Sequence, residues 1–218
     1  LGLEAIGQAF DYIGQNPERF WKAAGEHLSL SFSALLLALL IAFPLGIYTS
    51  RSKFASGFIV NLSGVGRVIP SVAVLILLYP IFGLGFTSAF IALTLLAVPP
   101  ILINTDAGLR AISPAVLEAA RGMGMSRWQV FYKVELPLAS PVILGGIRTA
   151  TIEVIASATL ASFIGAGGFG DFINQGLTGR STRLLLVGAV PVALLAITAE
   201  LLLGILQRYA VATVSKAR

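Results

Sequence analysis

The chain has 218 residues, of which 56% are hydrophobic and only 11% charged, with a formal net charge of +5. At a mean hydropathy of +0.90 it is too apolar for a water-soluble domain, and its composition is that of an all-α, polytopic helical membrane protein with one transmembrane domain over residues 1–218. Cysteine is absent and histidine occurs once, at His27, which excludes disulfides, thiolate metal sites and cysteine nucleophiles and leaves no histidine metal cluster.

Residues 1–26 are polar enough to lie outside the hydrocarbon. Leu3, Ile6, Phe10 and Ile13 recur at helical spacing, which predicts a short amphipathic helix on the membrane surface, and Asn16-Pro17 ends it and caps another. Phe20 and Trp21 follow as interfacial anchors, and His27 reads as an interfacial residue at the start of a span. Leu28 to Tyr48 is the first predicted span, read as retained and not as a cleaved leader, and Arg51 and Lys53 close it. The second apolar region, about Gly57 to Phe82, is interrupted by Ser63, Gly64, Gly66, Arg67 and Pro70. Such a break is tolerated where backbone is buried in protein or lines a cavity, so RVIPS at 67–71 is expected to face the bundle interior or a pathway. Gly83 to Gly85 then makes a tight turn, and Phe86 to Thr105 is the third span, with a kink pair at Pro99-Pro100.

The long polar break over residues 106–137 is the most informative stretch. Ser113-Pro114 predicts an N-cap followed by proline at the first helical position, so a helix should run from Pro114 to about Arg121. Gly122 and Gly124 stop it. Ser126 and Gln129 make a capping box, so a second helix is expected from Arg127 to about Val134, terminated by Pro137. Ala115, Ala119 and Gly122 form a small-residue stripe along the first helix, which would let another protein surface approach its backbone. Beyond this loop, Ser140-Pro141 is expected to cap a fourth span, about Pro141 to Ile164, and a Gly-rich connection over 165–182 leads to a fifth, about Leu184 to Leu206.

The spacing in the break resembles the EAA loop of binding-protein-dependent ABC importer permeases. Its pattern is Glu-Ala-Ala, three residues, Gly, nine residues, an aliphatic residue, any residue and Leu-Pro. Glu118, Ala119, Ala120, Gly124, Val134, Leu136 and Pro137 fill every position. The resemblance implies a type I importer fold of about five transmembrane helices plus the N-terminal interfacial helix. It also implies that the loop is a coupling helix seated in a cleft of a cytoplasmic ATPase, with Glu118 touching the ATPase, Ala119 and Ala120 allowing entry and Gly124 making the turn. The implied partners are an ATPase dimer, an extracytoplasmic solute-binding protein and a second permease, identical or homologous, in the lipid of a bacterial or archaeal cytoplasmic membrane.

Charge placement agrees with this topology. With the break inside and the N-terminus outside, Arg51, Lys53, Arg110, Arg121, Arg127, Lys133, Arg208, Lys216 and Arg218 are expected to be cytoplasmic, while Arg19, Lys22, Arg180 and Arg183 are external. The basic residues are scattered between apolar runs, so no nucleic-acid surface is expected. The Gly-rich run GAGGFGD at 165–171 lacks the Gly-x4-Gly-Lys-Ser/Thr pattern and falls outside, so no cofactor is expected in this chain and ATP with its magnesium would sit on the partner ATPase. The same run resembles the external loop of methionine-type and osmoprotectant-type permeases, which implies that Gly167, Gly168, Gly170 and Asp171 help receive the loaded binding protein.

Arg148, Glu153 and Glu200 lie within predicted spans, where ionisable groups are paired or functional. Arg148 and Glu200 fall at similar depth on antiparallel helices and are expected to pair; Glu153 either bonds to hydroxyls such as Ser157 or Thr151 or lines the pathway. RVIPS, Val98-Pro99-Pro100 and GAGGFGDFI resemble permeases for glycine betaine, choline and carnitine, with methionine or another amino acid as the alternative solute. An ion-coupled carrier or channel, drafting the three buried charges as coupling groups, is the alternative of a different class, and a noncatalytic membrane scaffold is a third.

Overall fold

The computed structural model describes residues 2–66 and 68–216, and every regular element among them is helical. α1 (Gly2–Gln15) and α2 (Pro17–Ser50) meet at Asn16-Pro17. There the Asn16 side chain donates to the Tyr12 carbonyl at 3.0 Å, and Pro17 opens the next helix where its missing N–H costs nothing. α3 (Lys53–Ala55), a π turn (Ser56–Val60) and α4 (Asn61–Gly66) precede α5 (Ser71–Phe82) and α6 (Phe86–Arg110). α7 (Pro114–Gly122), α8 (Arg127–Val130), a second π turn (Phe131–Glu135) and α9 (Leu136–Ser157) come next. A 3₁₀ turn (Leu160–Ile164), α10 (Gly170–Thr178) and α11 (Thr182–Lys216) complete the chain.

Pro17–Ser50, Phe86–Arg110, Arg127–Ser157 and Thr182–Ala212 are long and apolar enough to cross a membrane, and the broken pair Lys53–Gly66 and Ser71–Phe82 makes a fifth when counted as one. Five spans were expected, with different boundaries. Pro137 does not terminate its helix: it sits in the first turn of α9, directly after the π turn. That turn bonds Leu136 N–H to the Phe131 carbonyl, and its wider ring takes up the backbone mismatch a proline creates, so the helix continues. Ser140-Pro141 is accordingly interior to α9, where the Ser140 hydroxyl donates to the Pro137 carbonyl at 2.7 Å and caps nothing. The fourth span ends at Ser157, short of Ile164, because the chain tightens into the 3₁₀ turn. The Gly-rich connection carries a helix, α10. Val68, Ile69 and Pro70, expected to face inward, are exposed on this chain, and Arg67 lies outside the described residues.

The chain divides into two compact units. The first comprises Leu1–Leu37, Ile69–Ala97 and Thr151–Ala199. Its core gathers Ala9, Ala23, Ala24, Ile155, Phe169, Phe172, Val187 and Val192. α1 enters this core by its alanine face: Ala5 and Ala9 are buried, and the Tyr12 ring meets Phe172 edge-on at 6.1 Å. Ile6 and Phe10 remain exposed, so the helix has a second apolar face suited to lipid. His27 is not interfacial but buried, with Nε2 at 3.2 Å from the Ile155 carbonyl.

The second unit comprises Ala38–Val68, Val98–Ala150 and Glu200–Arg218. Lipid removes the hydrophobic drive for helix association, so close packing depends on small residues. A Cβ on Gly46 would stand 2.6 Å from Thr105 Cβ, and one on Gly146 would stand 2.5 Å from Asn104 Cβ and 2.6 Å from the Pro100 carbonyl oxygen. α6 therefore meets both α2 and α9 at backbone distance. Leu109, Ala139 and Ile143 are buried where these helices converge, with Phe43, Ile47, Phe131 and Leu136 packed around them.

Gly146→Ala should force α6 and α9 apart and lower stability by about 1–3 kcal/mol, the cost of overpacking a filled site. Gly25→Ala, with nothing near its Cβ position, should leave the melting temperature in detergent unchanged or raised. Equal melting temperatures for the Gly146 variant and the unaltered chain would contradict the packing.

Candidate functional site

The loop between α6 and α9 lies wholly in the second unit and is built from short local devices. Ser113 adopts an extended conformation ahead of Pro114, but its side chain makes no cap bond, so proline alone sets the start of α7. The helix closes through Met123 N–H to the Ala119 carbonyl, and Gly124 at φ +82° reverses the chain, a conformation that favours glycine. Ser126 then forms the expected capping box: its hydroxyl accepts from Gln129 N–H at 3.3 Å, and the Gln129 carboxamide accepts from Ser126 N–H at 2.8 Å.

These devices sort the motif residues. Glu118 and Ala119 are exposed, as are Ala115 and Gly122 of the small-residue stripe, whereas Ala120 is 3% exposed and fixes α7 to the unit. Val134 and Leu136 are half-buried and Pro137 is exposed. Met123, Trp128 and Tyr132 add large exposed apolar area, with the Trp128 and Tyr132 rings stacked at 6.0 Å between centroids. Between this loop and α2 opens a cleft of about 1040 Å³ lined by Phe43, Arg51, Arg121, Met125, Arg127, Trp128 and Phe131, among others.

Glu135 occupies the free position of the motif, so the pattern assigns it no role. Its carboxylate is 3% exposed and takes a bidentate bond from Arg51, with Arg51 Nη1 to Oε1 at 2.7 Å. Arg110, at the other foot of the loop, donates through Nε to Asp106 at 3.0 Å and through Nη2 to the carbonyls of Thr49 and Ser52. A lone carboxylate inside the apolar run of VELP was the signal available: such a group needs a cation.

Elsewhere in this unit Arg148 and Glu200 form the expected ion pair. Arg148 also donates to the Gln207 side-chain oxygen at 3.1 Å, and Gln207 donates to the Pro141 carbonyl at 2.8 Å. Glu153 makes an interaction of its own.

The Gly-rich loop lies wholly in the first unit. Gly167 and Gly168 both have φ near +80°, and the Glu26 carboxylate accepts from Gly168 N–H at 2.9 Å. A Cβ on Gly167 would fall 2.3 Å from Glu26 Oε2. Gly168 and Gly170 are buried and shape the turn, while Gly167 and Asp171 are half-buried and face a cleft of about 300 Å³ that Arg19, Lys22 and Glu26 also line. Burial raises the Asp171 pKa above the ordinary carboxylate range; Glu26 adds to the rise, and Arg19 and Lys22 oppose it.

Helices long and apolar enough to cross a membrane, packed through small residues, thus carry an exposed polar loop that turns on a glycine. Residues 34–216 match the family described as the binding-protein-dependent transport system inner membrane component. The chain belongs to that family, the permease subunits of ABC importers, and is a membrane protein. The carnitine transport permease protein OpuCB of Listeria monocytogenes is 43% identical over 205 residues, which cover 94% of this chain and 93% of that one. The glycine betaine/carnitine/choline transport system permease protein OpuCB of Bacillus subtilis is 38% identical over 203 residues, covering 93% and 94%. An inward-facing MetNI methionine ABC transporter structure shares the fold, with a TM-score of 0.76 at 23% identity over 89% of this chain and 98% of that one.

Two outcomes follow. Arg148→Leu should lower the melting temperature in detergent more than the double variant Arg148→Leu with Glu200→Leu, because the single change strands a carboxylate in a span; equal losses would mean that the pair is not coupled. Asp171 is an acid whose folded pKa is raised, so its contribution to stability falls as pH rises from its unfolded value through its folded one. Asp171→Asn should remove that fall, seen as a flatter melting-temperature profile from about pH 4 upward.

Proposed function

We propose that this permease imports quaternary-ammonium osmoprotectants of the glycine betaine, choline and carnitine class, and that residues 111–135 couple it to a cytoplasmic ATPase. The observation that carries the coupling role is the complete motif with Glu118 and Ala119 exposed on a helix that ends in a glycine turn. Such a helix offers a carboxylate and a thin backbone ridge to a partner cleft. The exposed Met123 and Trp128 supply the apolar area that a stable protein contact requires.

On this reading the Gly-rich loop is external and receives a loaded solute-binding protein, with Asp171 and Gly167 at its accessible edge. ATP and magnesium are held by the ATPase dimer, and two permease chains, identical or homologous, enclose the pathway. ATP closes the ATPase pair, the coupling helices move with it, and solute passes inward by alternating access. The solute class is supported by the relatives at 38–43% identity, which are named for carnitine, choline and glycine betaine.

Purification of the tagged chain with its neighbours should retain an ATPase subunit and a binding protein carrying a quaternary ammonium solute, identified by mass spectrometry. Glu118→Lys and Gly124→Val should each weaken ATPase retention at least about tenfold, the equivalent of about 1.4 kcal/mol of docking energy. Intact retention with both substitutions would refute the coupling role, and a bound amino acid would refute the solute class.

A further inference from the structure

Both feet of the loop over residues 111–134 are tied to one short turn. That turn, Thr49 to Ser52, forms the C-terminal end of α2 and is closed by Ser52 N–H to the Thr49 carbonyl at 3.1 Å. From the foot before the loop, the Arg110 guanidinium reaches the Thr49 and Ser52 carbonyls, the second at 2.8 Å. Asp106 holds that guanidinium in place and also accepts from the Ser56 hydroxyl at 3.1 Å. From the foot after the loop, Glu135 takes the bidentate bond of Arg51, a residue of the same turn. At the tip, α7 and the capping box are shaped by local hydrogen bonds, and buried Ala120 packs α7 against the unit.

We propose that Arg51, Arg110 and Glu135 are positioning residues that form a two-sided clamp, through which displacement of the loop is passed to the end of α2. The proposal rests on the reading of this loop as the coupling element. A loop fixed at one foot can pivot and dissipate a push as local bending, whereas two feet on one anchor move that anchor with them. The chemistry suits the task. Fork-to-fork guanidinium and carboxylate bonding is directional, and removing the guanidinium would leave a buried carboxylate without its counter-charge. The π turn that ends at Glu135 is a recognised feature of functional helix sites, and here it delivers the carboxylate to α2.

The test uses the whole complex of permease, ATPase and binding protein in proteoliposomes and reads ATP hydrolysed per solute imported. Arg51→Gln and Glu135→Gln should each keep the ATPase bound but raise that ratio at least about fivefold, the lower end of measured couplings between sites. The reversed pair, Arg51→Glu with Glu135→Arg, should bring the ratio back toward that of the unaltered complex. An unchanged ratio in the single variants overturns the clamp, as does loss of ATPase binding, which would assign these residues to docking. Should the single variants fail to accumulate, Arg110→Lys is read in the same way: it keeps the charge but cannot hold Asp106 and two carbonyls together, and an unchanged ratio overturns the proposal. An unaltered chain that retains no ATPase would remove the coupling reading itself, and this is seen before any variant is made.

Discussion

A carboxylate at the foot of a membrane-crossing helix has to be neutralised where it stands, and in the second unit Glu135 imposes that requirement on everything around it. Its partner must be a fixed cation, so Arg51 is held by the turn that ends α2, and that turn is held in place by Arg110. The π turn that delivers Glu135 also absorbs the backbone defect of Pro137. A helix irregularity, a tolerated proline and the end of a neighbouring helix thus meet at one residue.

The apolar contacts follow a different logic from those of a soluble core. Ala34, Ala38 and Ala42 are fully buried at four-residue intervals along α2, and Gly46 continues the row against Thr105. Large side chains such as Leu40, Leu194, Leu201 and Leu202 point outward instead. Lipid solvates leucine as well as protein does, so along this row of α2 small side chains serve close approach more than hydrophobicity. The same thinness recurs in the loop, where Ala119 and Gly122 stay exposed and Ala120 turns in.

Turns and caps set by a few adjacent residues were the most legible in the sequence, and ion pairs between distant segments mostly were not. Asn16-Pro17, the Gly124 turn and the Ser126 box are each decided within a few residues, and the structure matches them. Pro137 and Ser140-Pro141 were misread because a proline rule assumes a regular α-helix before it, and the π turn removes that condition. The Arg148 and Glu200 pair was recoverable because depth in a membrane can be counted along a span. Arg51 with Glu135 escaped because Arg51 had an adequate local explanation as the end of a span. Glu26 escaped for a similar reason: only the fold shows that the Gly167-Gly168 turn closes on its carboxylate.

The span charges bear on how transport is driven. An ion-coupled carrier needs intramembrane groups free to change partner or protonation state as the cycle turns. Arg148 is bound at once to Glu200 and Gln207, and Gln207 is bound in turn to the Pro141 carbonyl, so releasing Glu200 would leave the cation without its counter-charge within the span. Asp106 is likewise committed to Arg110 and Ser56. Charges paired in this way tie together the segments that carry them. A bundle tied in this way is poorly made to draw energy from an ion, and well made to be moved from one end by a subunit that hydrolyses nucleotide elsewhere.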